Sequence, residues 1–359
     1  MSFDRYLGYH FTQTSVYVCE AFLNRENQLE WEVIEQANYE LPAEWLALYK
    51  EAIPNLYDTE KQVFGFQALP AIWRSFSPQR FHRYDASFFS QMVKGNLGAA
   101  GFHELQSFLR YTLVYHVKPQ PDEPLHISMV LEDVPNKDGQ YEAILAALQQ
   151  HLIMPNIHFK AIISPQEAVL RSLWYESMAD SDQINSKVLL VINIGYVYTE
   201  FTMWRLGTPE RPARAQGARQ IDLGVASHVG RNNPTDRTIG AEELAIHAQR
   251  ARADYKTGQE PVVIFQQDDT LMEIAESDYL DLVASGVDDI VSRLERLLRS
   301  QGDEIDEVIL TGEGVAFEPI RHDVAQALGD LPTRIVDQPA LICARGAAGL
   351  SYDLHDEKV

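Results

Sequence analysis

Alternating apolar and polar positions dominate the opening of the chain. Residues 14–24 and 29–36 follow this period of two, and residues 63–69 form a third run rich in strand formers. Such alternation is typical of half-buried strands, so the opening is predicted to form an antiparallel meander. A helical pattern follows over residues 86–117, and it is expected to end at the prolines of VKPQPDEP.

The next segments alternate between strand and helix patterns. Strands are predicted at residues 126–131 and 158–163, with a helix at 141–152 between them and a second helix from Pro165. Because a strand, helix, strand order joins neighbouring parallel strands, this part predicts a mostly parallel sheet covered by helices.

The second half repeats this order. Its strongest helical signal lies at residues 279–299, where one apolar stripe comprises Val283, Val287, Ile290, Val291, Leu294 and Leu298. The other predicted elements are strands at 188–194, 197–206 and 213–221, a helix at 241–255, the strand EVILTG, and helices at 318–328 and 340–350.

Both halves begin with a long apolar hairpin. YLGYHFTQTSVYVCEAF and VLLVINIGYVYTEFTMWRL each contain an apolar strand, a short polar turn and an alternating strand leading out. This internal repeat predicts an α/β protein of two similar lobes with a central cleft between them. Lobe I is predicted at residues 1–165, with the C-terminal helix 339–359 returning to it, and lobe II at 166–338, with the change of lobe near 163–181.

Composition narrows the classes of function. The 359 residues are 45% hydrophobic and carry a formal net charge of −22, which opposes binding to nucleic acid or to an anionic membrane. The densest basic stretch, RPARAQGARQ, has the pattern of a strand and its flanks. Without an apolar run of about 18 residues or a secretory leader, we expect a soluble cytoplasmic protein. Cys19 and Cys343 lie in separate apolar runs, which predicts buried thiols.

Four segments carry motifs in a recognisable order. They are AQGARQIDLG, AQRARADYK, DEIDEVILTGEGVAFEPIRHDVAQAL and PALICARGAAGL. In this order they resemble the strand and Leu-Gly-Gly turn, the adenine-lining helix, the adenosine motif and the small-residue helix of the actin-like ATPase superfamily. Within it, the nucleotide-binding domain of heat-shock protein 70 chaperones is the most similar. The resemblance implies the two-lobed actin-like fold, built from duplicated ribonuclease H-like domains.

The resemblance also implies which residues face an ATP or ADP molecule. Gly312 and Gly314 stand where a Cβ would prevent the backbone from approaching the nucleoside. Leu223 and Gly224 match the Leu-Gly-Gly turn, with Val225 in place of its second glycine. The candidate nucleotide-contacting residues are Thr12, Gln13, Gly195, Tyr196, Tyr198, Gly224, Gln249, Arg252, Gly312, Glu313 and Gly314.

The phosphate turns depart from the family pattern. Where the first turn reads Asp-x-Gly-Thr in the family, this chain has His-Phe-Thr-Gln at residues 10–13. The second, Asp-x-Gly-Gly-Gly-Thr in the family, is Asn-Ile-Gly-Tyr-Val-Tyr at 193–198. The Glu-Pro that begins the connecting helix is Ser164-Pro165, with Glu167 the nearest carboxylate downstream.

These replacements remove the groups that hold a magnesium triphosphate. Hard Mg²⁺ prefers anionic oxygens, which neither Asn193 nor His10 supplies, and side chains in place of glycines oppose close contact with phosphate. Ordinary magnesium-dependent ATP hydrolysis is therefore predicted to be weak or absent. We assign no metal ligands, and the candidate catalytic residues are His10, Glu167, Asn193 and Glu200.

Each candidate residue also has a structural interpretation. Tyr196 and Tyr198 are either core or rim aromatics of the hairpin, or rings that fill the former phosphate space. His10 is favoured as a hydrogen-bonded interior residue over an acid-base group. Asn193 is interpreted as a structural turn residue, because asparagine tolerates turn conformations. Glu167 and Glu200 are either solvated or directed into the cleft.

Three functions follow from these interpretations. The first is a degenerate relative that binds a protein partner, and an adenine nucleotide weakly, without efficient hydrolysis. The second is an enzyme whose cleft, lined by His10, Glu167, Tyr198 and Glu200, acts on another small molecule. The third is an actin-like filament protein. The segment 41–84, rich in tryptophan and phenylalanine, is left open as a docking surface.

Overall fold

The structure is a computed structural model of the chain. It describes residues 4–23, 29–34, 52–74, 77, 79–120, 122–134, 139–176, 186–232, 239–267 and 270–356.

The strands, numbered along the chain, have lengths from two to nine residues. They are β1 Arg5–Phe11, β2 Ser15–Leu23, β3 Leu29–Val33, β4 Ile53–Pro54, β5 Tyr57–Asp58, β6 Val63–Phe64, β7 Phe81–His82, β8 Leu125–Leu131, β9 Ile157–Ile163, β10 Val188–Ile194, β11 Tyr198–Arg205, β12 Thr208–Pro209, β13 Ala213–Gln216, β14 Val262–Gln267, β15 Thr270–Ile274, β16 Glu307–Thr311 and β17 Thr333–Ile335.

The α-helices are numbered in the same way. They are α1 Leu69–Arg74, α2 Ala86–Val93, α3 Ala99–Thr112, α4 Gln140–His151, α5 Pro165–Glu176, α6 Arg219–Asn232, α7 Ala241–Asp254, α8 Glu276–Gln301, α9 Glu318–Leu328 and α10 Ile342–Asp356. A π-helical turn Leu113–Val117 follows α3, and short 3-10 turns lie at Gly65–Gln67, Gly302–Glu304 and Glu313–Ala316.

The chain forms two compact units. Unit 1 comprises Met1–Leu69, Gln79–Ile184 and Ala340–Val359, and unit 2 comprises Pro70–Pro78 and Asn185–Pro339. Helix α5 thus belongs to unit 1, where it packs against α10, and the change of unit falls after residue 184 rather than at residue 165.

The main sheet of unit 1 has the order β3-β2-β1-β8-β9. Strand β2 runs antiparallel to β1 and β3, while β1, β8 and β9 are mutually parallel. One face of β1 packs on α3, where the Tyr9 hydroxyl lies 3.0 Å from Thr112 Oγ1. The other face touches α10 at Gly8, where a Cβ would lie 1.9 Å from the Ala344 carbonyl oxygen. A glycine is therefore required where the helix meets the sheet.

The main sheet of unit 2 has the order β12-β11-β10-β16-β17. Strand β11 is antiparallel to β10 and β12, while β10, β16 and β17 are parallel. Helices α6, α8 and α9 contribute to the hydrophobic core that includes one face of this sheet. The predicted apolar stripe is confirmed, because Val283, Val287, Ile290 and Leu294 of α8 are all buried there.

The two sheets have the same strand order and the same directions. In each, a long hairpin supplies the central and second strands, and only the second strand is antiparallel to the rest. The repeat seen in the two hairpin sequences therefore extends to the sheets. Both sheets are mixed: the hairpins that open the two halves are antiparallel, and the parallel pairing predicted for residues 126–163 is confirmed for β8 and β9.

Three predicted elements differ from the structure. The predicted helix 86–117 is interrupted between α2 and α3, where Gly95 has a φ of 69°. The predicted strand 63–69 is only the two-residue β6, followed by a 3-10 turn and the start of α1. The predicted strand 213–221 ends at Gln216, because α6 begins at Arg219.

Among the described aromatic side chains of the 41–84 segment in unit 1, Phe66, Phe81 and Tyr84 are buried, whereas Tyr57 and Phe64 are half-buried. Residues 41–51, 75, 76 and 78 are outside the described part of the chain. Phe66 and Tyr84 are fully buried, and the Tyr84 ring stacks on Phe108 of α3 at 4.5 Å. The Phe66 and Tyr84 rings therefore belong to the core of unit 1, while the docking-surface prediction also rests on aromatic residues outside the described part of the chain.

Candidate functional site

The first turn, between β1 and β2, is closed by its own side chain. The hydroxyl of Thr12 accepts hydrogen bonds from the backbone N–H groups of Thr14 and Ser15, at 3.3 and 3.0 Å, and donates to the Ser15 carbonyl. In a phosphate-binding turn, such N–H groups are the donors that hold the anion. In this chain a threonine oxygen already occupies them.

Neighbouring groups brace the same turn. The side-chain amide of the fully buried Asn55 donates to the Thr12 and Tyr84 carbonyls, at 2.9 and 3.0 Å, and accepts from Tyr84 N–H. Gln13 donates to Asp85, the residue that caps α2, and its carbonyl accepts from Arg83. The turn is thus hydrogen bonded on both sides.

His10 lies in the interior of unit 1, as predicted, but is not hydrogen bonded as predicted. Its ring packs near Tyr17, with centroids 5.9 Å apart. Burial lowers the pKa of His10 to about 4, although the nearby Ala340 carbonyl favours the protonated ring. Neither ring nitrogen has a hydrogen bond of normal geometry, so the neutral imidazole is the stable form inside the fold.

Glu167 lies in the first turn of α5. Ser164 caps this helix, since its hydroxyl accepts the Glu167 N–H at 3.2 Å. The Glu167 carboxylate is 43% exposed and accepts from Arg171, one turn further along. It therefore forms a surface ion pair on its own helix.

The second turn, between β10 and β11, is held by the start of α6. The N–H groups of Gly217, Ala218 and Arg219 donate to three successive carbonyls of this turn, those of Val197, Gly195 and Tyr196. A helix N-terminus with free N–H groups attracts anions, but these donors are already satisfied by protein oxygens.

A single glycine permits this contact. A Cβ on Gly217 would lie 2.5 Å from the Gly195 carbonyl oxygen and 2.6 Å from that of Tyr196. The prediction of a turn at Leu223 and Gly224 is wrong, because both lie inside α6 and a Cβ on Gly224 would meet no atom within 4 Å. The turn glycine is Gly217, at the other end of the same motif.

The Tyr196 ring is buried in the core of unit 2 and belongs to a polar network. Its hydroxyl donates to Asp222 of α6, and Arg252 of α7 donates to both Asp222 oxygens, at 2.8 and 3.2 Å. Burial raises the pKa of Asp222, and Arg252 and Tyr196 oppose that rise. Burial also disfavours the charge on Arg252, but Asp222 outweighs it and holds the pKa of Arg252 above its ordinary value.

This network engages a residue predicted to face adenine. The Arg252 side chain is only 10% exposed, and its guanidinium lies 5.7 Å from the centre of the Phe317 ring. Gln249, the other predicted adenine neighbour, is half-buried on the same helix. Of this pair, the structure thus ties Arg252 to a carboxylate that the sequence prediction did not include.

Tyr198 and Glu200 share a second polar contact with Arg214. Arg214 Nε donates to Glu200 Oε1 at 2.7 Å, and its guanidinium lies 5.3 Å from the centre of the Tyr198 ring. Tyr198 is 40% exposed, whereas Glu200 is buried. Tyr196 is therefore a core aromatic and Tyr198 a rim aromatic.

The two glycines of the predicted adenosine motif pack against β10. A Cβ on Gly312 would lie 2.4 Å from the side-chain oxygen of Asn193, and one on Gly314 would lie 2.4 Å from Ile194 Cγ2. Asn193 is buried, in the strand rather than in the turn. Glu313, between the glycines, is half-buried, and its charge favours protonated Arg252. The groups that lie close to both glycines are therefore residues of β10, at the place where the resemblance predicts a nucleoside.

A groove of about 280 Å³ lies elsewhere in unit 2, between β11 and the C-terminal half of α8. Its lining residues are Phe201, Met203, Glu210, Arg211, Ala213, Arg293, Arg296, Leu297, Ser300 and Gln301. Its carboxylate, Glu210, is bound to Arg205 at 2.6 Å. Among the described residues, no carboxylate forms an ion pair with Arg211, Arg293 or Arg296, so the groove is locally basic in an acidic chain.

The sequence prediction missed three residues of these turns: Asn55, Gly217 and Asp222. Gly217 and Asp222 both lie within the quoted motif AQGARQIDLG, whereas Asn55 lies outside the four motif segments. Asn55 and Asp222 act on partners that are 29 to 43 and 30 positions away, respectively, so the tertiary structure is needed to find them.

No protein-family model matches the chain. No curated protein matches it either. Among the described helices, none combines the length and apolar composition that crossing a membrane requires.

Proposed function

We propose that this chain is a degenerate member of the actin-like ATPase superfamily, similar to heat-shock protein 70 nucleotide-binding domains. In this proposal it acts by binding a protein partner rather than by turning over ATP. The matching strand orders of the two sheets support the fold, since each has the second strand alone antiparallel, as expected for a duplicated domain.

The closure of the first turn carries the functional part of the proposal. A hydroxyl group of the protein accepts from Thr14 and Ser15, the N–H donors that a phosphate would need. The second turn is likewise satisfied by the start of α6. Catalysis of phosphoryl transfer depends on positioned donors and a metal ion, so a protein with occupied donors and no acid at either turn is poorly suited to it.

Adenine nucleotide binding is proposed to be weak for the same reason. Arg252 is bound to Asp222 through Nε and Nη2, and drawing it away to contact a nucleotide would leave a buried carboxylate without its cation. Mg²⁺ is not expected to be held in the family manner, because Asn193 and His10 replace the two acids.

Titration of the full chain with ATP and with ADP, with and without Mg²⁺, tests this proposal, together with an assay of phosphate release. We expect weak binding that Mg²⁺ does not strengthen, and no phosphate release above that of buffer. Steady release that Asn193→Ala abolishes, in a variant with unchanged circular dichroism, would overturn the proposal. Glu167→Gln serves as a matched control, because among the described residues the Glu167 carboxylate is half-exposed and pairs with Arg171 of its own helix.

For the partner, the arginine-lined groove of unit 2 is the surface we favour. Its floor includes Met203 and Leu297, and around it lie three arginines that no carboxylate of the described residues pairs with. Charge complementarity points to an acidic protein segment that carries an apolar side chain, because such a segment satisfies the arginines and covers the floor.

A fluorescent peptide of alternating glutamate and leucine is the probe for this surface. Arg296→Glu should weaken its binding at least tenfold (about 1.4 kcal/mol), and added salt should weaken it further. Arg299→Glu, at an exposed residue of the same helix outside the groove, should leave binding unchanged. Equal losses in the two variants would refute the groove while leaving the nucleotide experiment unaffected.

A further inference from the structure

Three metal-ligating side chains converge in unit 1 from distant parts of the chain. Asp4 precedes β1, His126 lies in β8 and His355 lies in the last turn of α10. Asp4 Oδ1 is 3.2 Å from His126 Nε2, and Asp4 Oδ2 is 3.2 Å from His355 Nε2. One ligand atom of each residue lies within 4.8 Å of the other two.

Within unit 1, the cluster is separate from the first hairpin turn. Asp4 stands before β1 and Thr12 after it, so the length of a seven-residue strand, about 23 Å, lies between them. The observation therefore does not depend on the proposed function. The three residues are dispersed along the chain with no recognisable spacing, so the sequence alone predicts no metal site here.

Aromatic contacts hold the two imidazoles in place. The Tyr6 ring stacks on His126 at 5.4 Å and touches His355 at 5.6 Å, and Tyr352 packs edge-on against Tyr6 at 5.2 Å. The two imidazole centroids are 4.4 Å apart. Both Nε2 atoms are thus directed to the same carboxylate by packing as well as by hydrogen bonding.

Hydrogen bonding alone leaves one atom of this arrangement unexplained. If Asp4 accepts from both rings, His126 Nε2 carries the proton and Nδ1 becomes an acceptor, yet Nδ1 is buried without a hydrogen bond. A buried polar atom without a partner is rare in proteins. A metal ion at Nε2 would place the proton on Nδ1, which likewise has no partner, so the support for a metal ion comes from the convergence of the three ligand atoms.

From this geometry we propose that Asp4, His126 and His355 bind one divalent cation of the Zn²⁺ class. Two imidazole nitrogens and one carboxylate oxygen are ligands that Zn²⁺ accepts, usually in a tetrahedral arrangement. Asp4 is exposed, His355 is half-buried and His126 is buried, so one side of the cluster is open to a water molecule as fourth ligand. Such an ion ties the end of α10 to the sheet of unit 1.

Isothermal titration of the full chain with ZnCl₂, after treatment with a chelator, tests the site. We expect one ion per chain, and at least a tenfold loss of affinity in both Asp4→Asn and His355→Gln. These two residues are not fully buried, so both variants are expected to fold, which circular dichroism verifies. Zn²⁺ should also raise the melting temperature of the wild type but not of Asp4→Asn.

The chain offers a matched control beside the cluster. The His158 ring stacks on His126 at 5.3 Å but lies outside the three-residue group, so His158→Gln should retain wild-type affinity. The proposal is overturned if folded wild type binds no Zn²⁺, or if Asp4→Asn and His355→Gln bind it as tightly as wild type does. A loss in His158→Gln equal to that in His355→Gln would also reject this ligand set.

Discussion

The hairpin turns of the two units occupy equivalent places in sheets of the same strand order, but they are closed by different means. In unit 1 a single side-chain hydroxyl, that of Thr12, accepts the N–H groups of Thr14 and Ser15. In unit 2 the carbonyls of the turn accept from the start of α6, and Tyr196 joins the turn to a buried ion pair.

The first turn is held mainly by hydrogen bonds between neighbouring residues, whereas the second is held by groups from several elements of unit 2. The first turn depends on groups that lie within four residues and on the brace of Asn55. The second depends on α6, α7 and the core between them. Disturbing the second turn should therefore destabilise a larger part of the protein than disturbing the first.

Arg252→Met gives the largest expected effect. It leaves the 1%-exposed Asp222 carboxylate without a cation, which should lower the free energy of unfolding by about 4 kcal/mol. Gln249→Ala, at a half-buried residue of the same helix, should change it by less than about 0.5 kcal/mol. Urea unfolding of both variants measures this contrast. Adding Asp222→Asn should recover part of the loss, and no recovery would argue against the buried charge as its cause.

Gly217→Ala tests the contact between the second turn and α6. The new Cβ would lie within 2.6 Å of two carbonyl oxygens, so we expect a loss of about 3 kcal/mol. Gly224→Ala introduces the same methyl group inside α6 with no atom within 4 Å, and should stabilise the protein by up to about 1 kcal/mol. Thermal unfolding of the two variants measures the difference between their effects on stability. Equal effects would contradict the assignment of Gly217 as the turn glycine.

His10 makes the unit 1 strand that leads into the first turn sensitive to acid. Its pKa is about 4 in the folded protein and near 6.5 when unfolded, so the unfolded chain binds more protons between these values. The contribution of His10 to the free energy of unfolding is therefore fully present above pH 6.5, and it falls by up to about 3 kcal/mol as the pH approaches 4. Urea unfolding at several pH values should show a shallower acid loss for His10→Phe, and an unchanged profile for the exposed His103→Gln.

Local periodicity predicted the elements that make these comparisons possible. The bounds of β10 and α9 agree with the sequence prediction residue for residue, because uninterrupted apolar runs or stripes define both. The same reasoning failed at residues 213–221, because one strand was predicted across the place where β13 ends and α6 begins. Ile221, Val225 and Val229 are spaced by four and are all buried, which is the signature of a helix.

The closure of the turns could not be read from the sequence in the same way. The sequence shows that the acidic residues of the family are missing. It does not show which oxygen atoms of the protein accept hydrogen bonds from the backbone N–H groups of the turns. The Asp222–Arg252 pair joins two helices, and Asn55 reaches the turn from another segment. Such contacts depend on how the elements pack against one another, and the hydrophobic pattern within one element gives no information about that packing.

Thr12→Val has the smallest expected effect, and it tests most directly whether the first turn is held by local hydrogen bonds. The change keeps the shape of the side chain but leaves the N–H groups of Thr14 and Ser15 without their acceptor, at a loss of about 2 kcal/mol. Native-state hydrogen exchange should show faster exchange at these two amides, with the amides of α6 unchanged, because the closure is local. Thr14→Val, which removes a neighbouring hydroxyl that accepts neither N–H group, should leave both rates near those of wild type. If Thr12→Val instead accelerated exchange throughout unit 1, the first turn would be as deeply coupled to its core as the second turn is to α6 and α7, and the contrast between the two closures would fail.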